Sequence, residues 1–133
     1  AKETGWGTSR FALEGNALFG QWTWSGEGIK PAGAENNTKH KVMKFKVLKA
    51  SVRAYQRNLN THTSYKNFRQ LRAQLRDDGE KLDSLILADQ LDNYAETGKE
   101  YTKILKQIIQ QNSLRDFDEV KIMPLSAKYK NLI

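Results

Sequence analysis

The sequence predicts a mainly helical α+β fold with a small β-hairpin arm, and three observations predict it. Two short stretches in the first half follow a two-residue period. Four later stretches carry apolar residues at helical spacing. All three tryptophans, and every glycine but Gly79 and Gly98, fall within residues 1–38.

Taken in order, the opening is expected to be loop-rich, because glycine and tryptophan punctuate it. Within it Gln21-Trp22-Thr23-Trp24 alternates large and small side chains as a strand does, and Ser25-Gly26-Glu27-Gly28 supplies turn chemistry, so a hairpin arm is predicted there. From Lys39 to Lys49 the spacing places Met43, Phe45 and Val47 on one face and Lys44 and Lys46 on the other, a second half-buried strand. The period then turns helical. Leu48, Val52, Tyr55 and Leu59 form one stripe, and Ser64, Phe68, Leu71 and Leu75 form another after the Asn60-Thr61-His62 break. Leu82, Leu85 and Ile86 open a third, ending near Asn93-Tyr94. Thr97-Gly98-Lys99-Glu100 reads as a capping box for a fourth helix with Tyr101, Ile104, Leu105, Ile108 and Ile109 on one side. After Asn112 the pattern fades into an irregular tail.

Length and composition bound the answer. A chain of 133 residues suits one domain with a modest core, and 38% hydrophobic with 28% charged residues and two prolines is a globular composition. The net charge of +7 puts a positive field on the surface that attracts polyanions. The absence of cysteine excludes disulfides and thiol chemistry. No apolar run approaches the roughly 20 residues needed to cross a bilayer. The chain opens on Ala1 rather than Met, so it reads as a fragment or processed product, with any targeting segment upstream.

No βαβ alternation or glycine-rich phosphate loop supports nucleotide chemistry. His40 and His62 lack metal-ligand spacing and read as surface or hydrogen-bonding residues, so neither a metal nor a cofactor is expected. The lysines at 39, 41, 44, 46 and 49 and the arginines at 69, 72 and 76 resemble a nucleic-acid footprint in number. Without a binding motif they read as solvated outer faces, a charge that also suits an anionic envelope.

The opening residues carry the chemistry. Glu3-Thr4-Gly5-Trp6-Gly7-Thr8-Ser9, then Phe11-Ala12, then Asn16-Ala17-Leu18-Phe19-Gly20, resembles the glucosaminidase family, glycoside hydrolase family 73. The family pattern has Asn where this chain has Ala17. The likeness continues through Gln21-Trp22-Thr23-Trp24, His40-Lys41-Val42, Phe45, Ala50 to Tyr55, Asn58 to His62, Tyr65 and Phe68 to Ala73, which is similar to the bacterial Bax branch of that family. It covers residues 3 to about 118, so residues 1–118 are expected to form the glucosaminidase domain and 119–133 a C-terminal tail.

The resemblance implies a lysozyme-like fold, with a β-arm and a helical lobe, acting on peptidoglycan glycan strands in the bacterial periplasm or cell envelope. It maps the catalytic acid onto Glu3, at the end of a helix whose earlier part would precede Ala1. Glycoside cleavage needs a carboxylic acid that protonates the leaving oxygen, and tryptophan walls raise a Glu pKa for that purpose. Trp6 and Trp22 are the walls so implied, and Trp6, Phe19, Trp22 and Trp24 the substrate-binding set. Standing alone, Glu3 would read as a solvated side chain on a fraying terminus. Trp22 and Trp24 keep two readings, burial against helices or stacking on sugar, because successive strand residues face opposite sides.

Glycosidases generally pair two carboxylates, roughly 5 Å apart for retention and about 6.5–9.5 Å for inversion, while some use the sugar's own acetamido group. Glu35, nearer the family spacing, and Glu27 are the partners open here, each with the plainer reading of a loop charge. A tyrosine in a Tyr-x-Thr-Asp-Pro-like loop maps onto Tyr94, though this chain lacks the Asp-Pro pair; its hydroxyl is implied to position substrate or water. Tyr101 reads as core. The leading expectation is therefore an endo-β-N-acetylglucosaminidase acting on peptidoglycan. The alternative is a non-catalytic glycan-binding or scaffolding domain of the same fold, and a third class is a basic nucleic-acid-binding module.

Overall fold

The computed structural model describes residues 2–33 and 39–121, and the chain divides into two compact units, residues 1–58 and 59–133. The described residues are mainly helical with a small antiparallel sheet, the α+β class expected of a lysozyme-like fold.

The first unit opens with a 3-10 turn, Lys2–Thr4, and then reverses sharply. Gly5, Trp6 and Gly7 all have positive φ, at 52°, 59° and 86°. This left-handed run explains why the motif needs its two glycines, since a side chain there is disfavoured. Thr4, buried, anchors the reversal: its carbonyl accepts from Gly7 N and Ser9 N, and its Oγ1 also accepts from Gly7 N.

Ser9 then caps a short helix, α1 (Arg10–Gly15), its Oγ accepting from Ala12 N. This helix lies in the part expected to be loop. Six residues are too few for a stripe to show in sequence, and the Ser9 cap is its one local signal. Asn16 ends it at φ 50°, with Nδ2 donating to the carbonyls of Phe45 and Lys46.

The arm has three strands rather than two: β1 (Trp22–Thr23), β2 (Gly28–Ile29) and β3 (Lys41–Met43), ordered β1-β3-β2 with both outer strands antiparallel to β3. The turn after Trp24 therefore does not close a hairpin, because β3 lies between its two strands. The register puts Trp22, Val42 and Ile29 level with one another, so they share one face. Val42 is buried, whereas Val47, expected on the buried face, is 58% exposed. The strand stops at Met43, and beyond it Lys44 N donates to the carbonyl of Glu27 and Phe45 N to the carbonyl of Gly15 at the end of α1.

Gly28 is required by proximity. A Cβ built there would meet Lys41 Cβ at 2.6 Å and the Val42 carbonyl at 2.7 Å.

Helix α2 (Leu48–Thr61) runs from the first unit into the second. Its buried side is centred on Ser51, fully buried, rather than on Leu48 and Val52, which are exposed. The reason is a hydrogen bond: Ser51 Oγ accepts from Leu18 N at 3.0 Å, and close approach of that loop requires a small residue.

In the second unit a 3-10 turn, Thr63–Tyr65, leads into α3 (Lys66–Asp77), with Phe68 and Leu75 buried as the spacing predicts. Arg69 and Arg72 are not a solvated stripe. Arg69 Nη1 donates to the carbonyls of Leu59 (3.0 Å) and His62 (2.7 Å), and Arg72 Nη2 to Asn60 Oδ1 (2.6 Å), so both tie down the end of α2.

Helix α4 (Ser84–Ala88) is capped by Asp83 and runs into a 3-10 segment, Asp89–Tyr94, with Ala88 and Leu91 buried. Leu82 and Ile86, from the expected stripe, are partly exposed instead. Helix α5 (Lys99–Gln111) packs on both of these elements. Its cap falls on Gly98 at φ 51° with no side-chain bond, so the expected Thr97 capping box does not form. A 3-10 turn, Leu114–Phe117, follows.

Candidate active site

The first unit brings together most of the motif residues. Glu3, half-buried in the opening turn, points its carboxylate at Gly20: a Cβ placed on Gly20 would lie 3.3 Å from Glu3 Oε2. Gly20 itself has φ 57°. The final glycine of the Leu-Phe-Gly motif thus leaves room for the carboxylate of the first motif. Among the described residues that carboxylate makes no hydrogen bond or ion pair.

The loop carrying Gly20 is fixed from both sides. Leu18 N donates to Ser51 Oγ, and Gln21 Nε2 donates to the Ala54 carbonyl at 3.3 Å. Between them the Phe19 ring stacks on Tyr55, with centroids 4.0 Å apart and planes at 9°. One face of Phe19 is therefore occupied by the protein. Ala17, where the family pattern has Asn, is 1% exposed, and its N–H donates to the Phe11 carbonyl. A methyl side chain suits that enclosure.

The tryptophans are not core. Trp6 is 72% exposed, Trp24 73% and Trp22 46%, so the reading in which Trp22 and Trp24 bury against helices is overturned. Trp22 meets the ring of His40 edge-on at 4.4 Å. Trp6 holds a left-handed backbone conformation that is costly for a bulky residue, and such strain clusters at functional sites. Glu27 is exposed on the turn between β1 and β2, with its backbone carbonyl accepting from Lys44 N. Glu35 lies outside the described residues.

Tyr94 belongs to the second unit. It stacks on Tyr101 at 5.5 Å and 14°, and tilts against Tyr65 at 6.1 Å. Tyr101, 4% exposed, is core as predicted. An open hollow of about 540 Å³ runs along Asp92, Tyr94, Glu96 and Lys99. A wider one of about 820 Å³ is lined by Leu82, Ile109 and the ion-paired Lys81, Glu119, Arg115 and Asp83. It contains none of the motif residues, and the chemistry favours the Glu3 surroundings over its size.

His62 caps the 3-10 turn after α2, with Nδ1 accepting from Ser64 N at 3.3 Å, which is a structural role. Among the described residues no group of three His, Cys, Asp or Glu could hold a metal ion, and no helix is long and apolar enough to cross a membrane. Sequence reasoning missed Gly20, Ser51, Tyr55 and His40 as supports of the motif. Each acts through a contact between segments far apart in the chain, and only the glycine carried a local signal.

Comparison with known proteins shows the family of the chain. The model of the glucosaminidase family, described as mannosyl-glycoprotein endo-beta-N-acetylglucosaminidase, matches residues 1–114. Protein bax of Escherichia coli (strain K12) is 37% identical over 112 residues, covering 84% of this chain and 39% of that relative. The chain thus spans well under half of the relative's length. No solved structure matches it. On the family match and that identity, the chain belongs to the glucosaminidase family.

Proposed function

We propose that the chain is the glycan-cleaving domain of a peptidoglycan hydrolase, an endo-β-N-acetylglucosaminidase of the bacterial periplasm or cell envelope, with Glu3 as general acid. The observation that carries this reading is the approach of Glu3 Oε2 to Gly20, which joins the two motif halves around one carboxylate that has no partner among the described residues. Residues 1–118 form the domain in this reading and 119–133 its tail.

The exposed indoles of Trp6, Trp22 and Trp24 offer apolar faces for sugar rings, and Phe19 shapes the loop beside the acid. Tyr94 positions the acetamido group or the attacking water. Glu35 or the substrate's own acetamido oxygen assists at the anomeric carbon.

The test is release of reducing ends from purified peptidoglycan by wild type and Glu3→Gln. Loss of a general acid lowers turnover by about 10²–10⁴-fold. Undiminished release by Glu3→Gln would remove Glu3 from the mechanism, and binding without turnover by the wild type would make the chain a non-catalytic glycan-binding domain.

A further inference from the structure

The charge of the chain is concentrated in one unit. Residues 1–58 hold ten lysines and arginines against four carboxylates, a net of +6, while residues 59–133 hold twelve against eleven, a net of +1. Half of the basic residues in the first unit are the lysines at 39, 41, 44, 46 and 49. Lys39, Lys44, Lys46 and Lys49 are exposed, and among the described residues none of the five makes an ion pair or side-chain hydrogen bond.

The fold gains nothing from this arrangement. Lys49 lies in the first turn of α2, which has no acidic residue, and a cation there opposes the helix dipole. Neighbouring like charges at 44, 46 and 49 repel one another. A local accumulation of unneutralised charge that works against stability points to a ligand of opposite sign.

The position of the run indicates what that ligand is. Lys41 sits on the central strand of the sheet, paired with Thr23, and the adjacent Val42 pairs with the exposed Trp22 on β1, so Lys41 and Trp22 lie on opposite faces at neighbouring positions. Lys44 follows β3 immediately, with its N–H on the Glu27 carbonyl. Cations and an exposed indole therefore share one small sheet. A branched polymer that offers sugar rings on one arm and carboxylates on another can reach both.

We propose that this lysine-rich segment binds the carboxylates of the short peptides carried by the wall glycan, so that the domain selects peptide-bearing, acidic peptidoglycan over bare glycan. The proposal rests on the reading of the chain as a peptidoglycan hydrolase, and adds a second recognition element to it.

The probe is peptidoglycan freed of protein and phosphodiester polymers, used as purified and after conversion of its carboxylates to amides. Co-sedimentation of the full chain measures binding separately from turnover. At low salt, wild type binds the native polymer about tenfold more tightly than the amidated one, and the gap shrinks to about twofold at high salt, as screening requires. The triple variant Lys39→Gln/Lys44→Gln/Lys46→Gln loses the same factor on native polymer and none on amidated polymer or on chito-oligosaccharides. Equal wild-type binding to both polymers overturns the proposal, as does equal loss by the variant on both.

Duplex DNA bound as tightly as native polymer at matched salt also overturns it, in favour of an unselective polyanion surface. The amidation arm needs no variant, so it decides the matter even if the triple variant fails to fold. Glu3→Gln keeps the charge-dependent binding while losing release. A wild type that binds in this way but releases no reducing ends refutes the hydrolase reading alone.

Discussion

Residues 1–58 and residues 59–133 are built on different principles. The first unit buries small side chains, Ala12, Ala17, Thr4, Thr23 and Ser51, and exposes its tryptophans. The second buries its large rings, Tyr65, Phe68 and Tyr101, and keeps its charges nearly balanced, with Lys106–Asp89 and Arg115–Asp83 paired. One unit is held by backbone close approaches and turn geometry, the other by packed helices. The tryptophans of the first unit are therefore surface available to a ligand, while the buried rings of the second serve stability.

The largest effect that tests this contrast is on the rings. Tyr101→Ala removes a buried ring stacked on Tyr94, and is expected to cost about 3–5 kcal/mol of unfolding free energy. Trp24→Ala, at a residue 73% exposed, is expected to move stability by no more than about 0.5 kcal/mol, while weakening glycan binding severalfold. Denaturant midpoints for both variants check the pair. A loss for Trp24→Ala approaching that for Tyr101→Ala would show that the first unit also depends on its aromatics for stability.

The second test stays within the first unit. A Cβ at Gly28 meets Lys41 Cβ and the Val42 carbonyl, so Gly28→Ala must push the central strand aside, at about 1–3 kcal/mol. A Cβ at Gly15 comes too close to the Ile29 Cδ1 methyl, at 2.8 Å, which can swing away, and stands at ordinary contact distance, 3.8 Å, from Ile29 Cγ1 and Lys44 Cγ. Gly15→Ala is therefore expected to cost less, since alanine also regains about 0.5–1 kcal/mol of helix preference. Thermal melts rank the two. The reverse order would mean that the methyl of Ile29 is held more rigidly than the strand.

The same division decided what could be read in advance. In the second unit the stripes of α3 and α5 repeat over three turns, so Phe68, Leu75 and Tyr101 were legible as core. In α2 the pattern held at Leu59 and misled at Leu48 and Val52. Leu48 and Val52 looked like the buried face, but a hydrogen bond from Leu18 selected Ser51, and no periodicity signals a polar residue chosen for close approach. Helix α1 and the three-stranded order were equally hidden, because six-residue and two-residue elements are fixed by caps and distant partners rather than by pattern. The motif around Glu3 was legible through its glycines, whose positive φ values are local needs. The placement of Gly20 against the carboxylate depends on folding and was not.

The smallest effect concerns charge in the second unit. The hydrogen bond from Lys81 Nζ, and then its charge, hold the Glu119 carboxyl below the ordinary carboxylate range. A carboxyl lowered in this way contributes stability above its unfolded pKa and loses it as pH falls through the folded value. Both side chains, however, are at least 80% exposed, so water and salt screen the pair. Glu119→Gln is expected to leave the melting temperature unchanged within error at neutral pH, and to leave the shape of its acid decline unchanged as well. A clear drop at neutral pH that vanishes in acid would show that the pair braces the turn after α5. If the expected result holds, charge balance in the second unit does little for its stability. The excess of lysine in the first unit is then a separate feature, whose role the binding of native against amidated polymer decides.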